Sequence, residues 1–207
     1  MRTSYSGIAV RLAAAVLTVS VAAGCGSGSK GGSGSVPSRP PSSNPAMDTN
    51  PRSPVIVVQL AVDTGVEPAA NVGPGSVVDG VVKGGGLLVV WYNTGHYNTL
   101  LSKDSTMTFN DESWRVSWVM DSIGKSPTPA TLQDAASEVV AQYLLDATLI
   151  SKQTLGNAVD SSGWVNRGDA LKTWYSAHQN DKLPGSSSVT YSTEVARVVA
   201  VIQNPPS

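Results

Sequence analysis

Val55-Ile56-Val57-Val58-Gln59-Leu60-Ala61-Val62 decides how the folded part of this chain is read. Five of its eight residues are β-branched and a single polar side chain interrupts it. A short, continuous apolar run of this kind reads as a strand buried on both faces. Asp63-Thr64-Gly65 supplies the turn that ends it.

Working outward, residues 66–86 carry Pro68, Pro74 and a series of glycines and read as a loop. Within it Val77-Val78 and Val81-Val82 flank Asp79-Gly80, the strongest short hairpin signal. Leu87-Leu88-Val89-Val90-Trp91-Tyr92 reads as a second strong strand, and Thr106 to Phe109 as another. The glycines Gly84 to Gly86 then precede a strand and not a helix, so they lack a helix terminus that would cradle phosphate. Trp114, Val116, Trp118 and Met120 alternate with polar residues, which predicts a half-buried strand. Trp114 and Trp118 are also four apart, so a helix is the alternative there.

Past Pro127 and Pro129 the period changes. Ala136, Val139, Val140, Tyr143, Leu144 and Ala147 share one helical face, predicting a helix from Thr131 to about Ser151 with Gln142 on its opposite, exposed side. Leu171, Trp174, Tyr175 and His178 mark a second helix from about Arg167 to Gln179. Val189, Tyr191, Thr193 and Val195 alternate into a final strand ending near Ile202, with a helix over Thr193 to Gln203 as the alternative. Strands, two helices and a strand make an α+β domain. The expectation is one small domain over residues 54–203, with a mainly antiparallel sheet, two packed helices and a tail at 204–207. No internal repeat at a fixed period is visible.

The first 53 residues are of another kind. Arg2 and Arg11 precede an apolar run from Leu12 to Ala23, too short to span a bilayer, followed by Val21-Ala22-Ala23-Gly24-Cys25. Cys25 is the only cysteine. This stretch resembles the lipobox of bacterial lipoproteins, with Ala22 where that family normally carries Leu. The resemblance covers residues 1–25 alone. It implies removal of residues 1–24, a diacylglycerol on the Cys25 sulfur and attachment to a bilayer with no transmembrane helix. It also implies an extracytoplasmic location at the cell membrane or outer membrane. Residues 25–53 are rich in Gly and Ser, then Pro, and predict a disordered tether.

Charge narrows the partners. Loss of the signal leaves 12 basic and 15 acidic residues, a net −3, which does not suggest nucleic acid. With one cysteine the domain holds no internal disulfide and must rest on its apolar core. A lipidated Cys25 is also lost as a nucleophile.

No Gly-x-Ser-x-Gly elbow, His-Glu-x-x-His helix or Walker A loop occurs, and neither a metal site nor a cofactor is expected. His96, in a turn with Trp91 and Tyr97, is the candidate binding group. His178 reads as a packing or capping residue at a helix end. Asp111 and Glu112 read as adjacent acids on a solvated loop. Core packing accounts for Trp118 and Trp174. The leading expectation is therefore an envelope lipoprotein whose domain binds or shields a protein or glycan ligand without catalysis. The alternatives are a surface hydrolase using His96 with Asp63 or Asp111, and a phage- or plasmid-encoded exclusion or secretion-associated lipoprotein.

Overall fold

A computed structural model describes residues 50–186 and 188–204. The signal, Cys25 and nearly all of the tether lie outside these residues. The described chain carries seven α-helices: α1 Arg52–Asp63, α2 Gly86–Asn93, α3 Phe109–Ser122, α4 Pro129–Asp146, α5 Lys152–Leu155, α6 Asp169–His178 and α7 Tyr191–Gln203. One antiparallel pair accompanies them, β1 Val77–Val78 with β2 Val81–Val82. Helices and a small antiparallel sheet thus coexist, but the core is helical. The expected sheet-dominated layer is replaced by α1, α3, α4 and α7.

Most of the correction lies in runs read as strands. Val55 to Ala61 is buried on every side of α1. A helix surrounded by protein loses its amphipathic period, so composition alone cannot separate it from a buried strand. Leu87 to Tyr92 forms α2 as well, with apolar residues on both its buried and its exposed side, so no amphipathic stripe marks it as a helix; Gly85 and Gly86 open it. Trp114 to Met120 takes the helical alternative within α3. Its start is a capping box: Thr108 accepts from the Asp111 amide at 3.1 Å, and the Asp111 carboxylate accepts from the Thr108 amide. Asp111 is thus a cap, and Glu112 is fully buried, so these acids are not a solvated pair. The final strand is likewise helix α7, capped by Thr190. The strand expected at Thr106–Phe109 shrinks to the single bridge Leu100–Thr108.

Other expectations hold. Asp79 and Gly80 both take positive φ in the β1–β2 turn, as a tight hairpin demands. α6 falls where predicted, and α4 covers most of the predicted Thr131–Ser151 span, with Thr128 as cap and Pro129 in its first turn. The ordered domain reaches further back than expected. The Asn50 amide donates to Ser117 Oγ at 3.0 Å, and the Ser53 and Ser117 hydroxyls share a 2.7 Å hydrogen bond.

The architecture also reveals an internal duplication that the sequence reading did not find. Gln59 and Gln142 lie 83 apart, as do Asp63 and Asp146, Gly80 and Gly163, Trp91 and Trp174, and Tyr92 and Tyr175. After one deleted residue the offset becomes 82. It then joins His96 to His178, Leu101 to Leu183, Thr108 to Thr190, Glu112 to Glu194 and Arg115 to Arg197. Hydrogen bonds repeat with the residues. Leu101 donates to the Met107 carbonyl and Leu183 to the Val189 carbonyl, each at 2.8 Å. Helix packing repeats as well: α1 rests chiefly on α3 and α4 chiefly on α7, while α3 also meets α4 and α7 meets α1. Exchanging the halves maps this ring of four helices onto itself.

The glutamines explain how each half holds its turn. The Gln59 amide donates to Asp63 at 2.7 Å and to the Gly80 carbonyl at 3.0 Å, and its oxygen accepts from the Val82 amide at 2.7 Å. Gln142 does the same to Asp146, Gly163 and Val165, at 3.0, 3.2 and 2.7 Å. Gln142 is therefore buried and not on an exposed face. Leu144 is fully buried, as expected. Leu144→Ala should cost about 2–5 kcal/mol. Gln142→Ala, which leaves a buried amide and carbonyl unpaired, should cost about 1–3 kcal/mol. Urea denaturation of both variants measures this, and a neutral Gln142→Ala would contradict the hook.

Candidate functional site

The strongest concentration of buried charge lies between the two repeats. Arg115, on α3, reaches across to Asp146 at the end of α4. Arg197, on α7, reaches back to Asp63 at the end of α1. Each arginine stands three residues after a glutamate, one helical turn on, so Glu112 and Glu194 share the same buried space. Both glutamates are completely buried, their carboxyls facing Asp146 and Asp63, with Arg197 Nη1 3.6 Å from Glu194 Oε2. Burial above all, then the neighbouring Asp146, pushes the Glu112 pKa well above the usual carboxylate range, with Arg115 opposing. Burial, then Asp63, does the same to Glu194, with Arg197 opposing. Each cluster therefore sets a buried carboxyl of raised pKa beside an ion pair.

A third buried glutamate, Glu138 on α4, pairs with Arg167 ahead of α6. Burial raises its pKa to about 7, with Arg167 partly offsetting. These groups have the pKa shifts expected of acid–base chemistry. They nevertheless lie within the helical core, and their partners belong to the fold. Among the described residues no cluster of His, Cys, Asp and Glu has the make-up of a metal site.

The sequence-predicted binding residues fall together in the first repeat. Trp91 is buried on the inner side of α2, and the His96 ring stacks on it with centroids 4.1 Å apart. His96 Nδ1 lies 2.8 Å from the Trp91 carbonyl oxygen. Tyr97 is half-buried, 6.3 Å from Tyr92 between ring centroids. The histidine thus locks the end of α2. Asp63 is engaged by Gln59 and Arg197, and Asp111 by the Thr108 cap, so neither carboxylate meets His96. In the second repeat His178 packs on Trp174 and its Nδ1 lies 2.9 Å from Asp181, a packing role as expected.

What sequence reasoning missed is a surface asymmetry between the repeats. Leu87, Val89 and Val90 of α2 are 59%, 52% and 60% exposed, and Leu100 is also exposed. The matching positions of the second repeat are Ala170, Lys172, Thr173 and Lys182. The scaffold therefore does not require apolar residues there. The 83-residue offset is the signal that would have exposed the difference. No family model, curated protein or solved structure matches this chain.

The raised acids set the pH response. A carboxyl whose folded pKa is raised keeps its full contribution below its unfolded value, here 4.5, and loses it as pH rises through the folded value. For Glu138 the loss runs from about pH 4.5 to about 7. Stability by urea denaturation should therefore be higher at pH 5 than at pH 8, and Glu138→Gln should flatten that slope. A stability that climbs from pH 5 to pH 8 would contradict these shifts.

Proposed function

We propose that this chain is a lipid-anchored envelope protein whose domain binds without catalysis, the outer face of α2 resting on the bilayer that holds Cys25. The supporting observation is the apolar face of Leu87, Val89 and Val90, borne by a helix whose counterpart is polar. No residue from Gly84 to Gly95 is charged, so the face meets lipid without burying an ion. Large apolar surfaces left exposed mark contact sites.

Burying such side chains contributes about 1.5–3 kcal/mol apiece at most, which gives only weak binding for a free domain. The anchor changes that balance. A Gly/Ser-rich coil as long as the 24 residues between Cys25 and Asn50 would span roughly 25–30 Å. Attachment on that length holds the domain at an effective concentration on the order of millimolar, where a weak contact is populated. Among the described residues no helix is long and apolar enough to cross a membrane.

Two measurements test the two parts. Labelled palmitate should enter the wild-type protein and not Cys25→Ala, and incorporation into that variant would remove the anchor. The secreted Cys25→Ser protein should float partially with phosphatidylglycerol/phosphatidylethanolamine vesicles, and Leu87→Lys with Val90→Lys should abolish flotation at an unchanged melting temperature. Flotation that ignores these substitutions, or none for the parent, would remove the membrane-facing role of α2.

A further inference from the structure

The duplication supplies an internal comparison for a groove between α1, β2 and α7. Ile56, Val81, Val82, Val198, Ala200 and Val201 line it, with Gln59, Glu194 and Arg197 at its inner side. It encloses about 110 Å³ and its walls are almost wholly apolar. The same place in the other half, between α4, α3 and the 159–165 turn, is filled. There Trp164 stands where the first hairpin has Val81, and Trp118 stands where α7 has Ala200. The two indoles pack with centroids 5.5 Å apart, and the Arg115 guanidinium lies 4.6 Å over the Trp164 ring.

The arginines register the difference. Arg115 and Arg197 make the same cross-repeat ion pair, yet the Arg115 side chain is 8% exposed and the Arg197 side chain 28%. An indole covers the first, and the second faces the open groove. A guanidinium over an aromatic ring gains from the ring quadrupole, more so when desolvated. The groove volume is of the same order as the ~150 Å³ engineered cavity that takes benzene. It therefore has room to seat the six-membered ring of an aromatic side chain, with the remainder of a larger ring lying in its open mouth.

We propose that this groove is a binding site for a tryptophan side chain presented on a tight turn of a polypeptide partner, the ring lying against Arg197. The mate site specifies the occupant and its presentation. Trp164 is carried by a turn that Asp160 closes, its carboxylate accepting from the Ser162 and Trp164 amides at 2.9 and 3.0 Å. The exposed Val78 and Val81 of the hairpin extend the apolar surface beside the mouth and offer contact to the backbone flanking such a ring. This site uses α1, β2 and α7, and is independent of the lipid contact proposed for α2.

The test uses the secreted Cys25→Ser protein and a blocked peptide copying residues 159–166, Val-Asp-Ser-Ser-Gly-Trp-Val-Asn. Ligand-observed NMR should show the peptide binding, at least tenfold loss when its Trp is changed to Ala, and loss on Val81→Trp, which fills the groove from within. Ala200→Trp is a second blocking variant should Val81→Trp fold poorly. Val81→Trp combined with Ala200→Trp rebuilds the mate site and should raise the melting temperature. Equal binding of the Trp and Ala peptides, no binding of either, or binding undisturbed in both blocking variants would overturn the proposal. N-acetyltryptophanamide binding as tightly as the peptide would overturn the polypeptide source and assign the groove to small aromatic molecules.

Discussion

The two arginines that cross between the repeats are the constraint on which the fold depends. Arg115 of the first repeat answers Asp146 of the second, and Arg197 of the second answers Asp63 of the first. Neither repeat contains the aspartate that its arginine bridges to. Because a buried ion left unpaired costs several kcal/mol, the halves must close on one another before either has a satisfied core. The glutamines extend this inward. Each orients its aspartate and holds the following turn by two backbone contacts, so the ion pair, the helix end and the turn are fixed together. The loops join in. Ser105 donates to the Asp146 carbonyl at 2.7 Å and Ser102 to the Ala147 carbonyl at 2.8 Å, covering the end of α4. In the other half Gly185, with φ near +79°, passes so close to Thr64 that a Cβ would lie 2.1 Å from its carbonyl oxygen.

Duplication separates what the scaffold needs from what it tolerates. Positions alike in both halves, such as the Gln–Asp pairs, the Glu-x-x-Arg turns, the buried tryptophans and the threonine caps, maintain the architecture. Where the halves differ, the architecture is indifferent and the residues are free to serve something else. Ser53 and Ser117 share a hydrogen bond between α1 and α3, yet their counterparts are Ala136 and Val199. The outer residues of α2 and the pair Val81 and Ala200 belong to this second class. The His96–Trp91 stack straddles the two. Both halves keep a histidine against the tryptophan, but the rings lie 4.1 Å apart in one and 5.3 Å in the other.

The sequence carried the hairpin at Asp79-Gly80, the two helices with an amphipathic stripe, and the burial of Val140 and Leu144. It misled where burial was too complete. Between Pro54 and Val62 the only polar side chain of α1 is Gln59, which looked like an interruption when it is a hook. α3 and α7 announced themselves through Thr108 and Thr190, small capping signals that alternating tryptophans and valines outweighed. The repeat escaped notice because its identities are sparse and one residue is deleted between Tyr92 and His96. Glu112 looked solvated beside Asp111, since local sequence does not show that the first turn of α3 faces another helix.

One consequence of the reciprocal bridges concerns assembly. A single repeat cut free at residues 123–128 would expose an arginine and an aspartate that complement each other only between copies. Two such units would meet about a two-fold axis and regenerate both bridges at once, as self-complementary interfaces do. The present chain is in that sense a homodimer written as one polypeptide. Covalent fusion frees it from concentration dependence and from the symmetry that would force both subunits to carry the same surface. A protein built this way can keep one half closed and leave the other open, an inequality no homodimer of identical chains can encode.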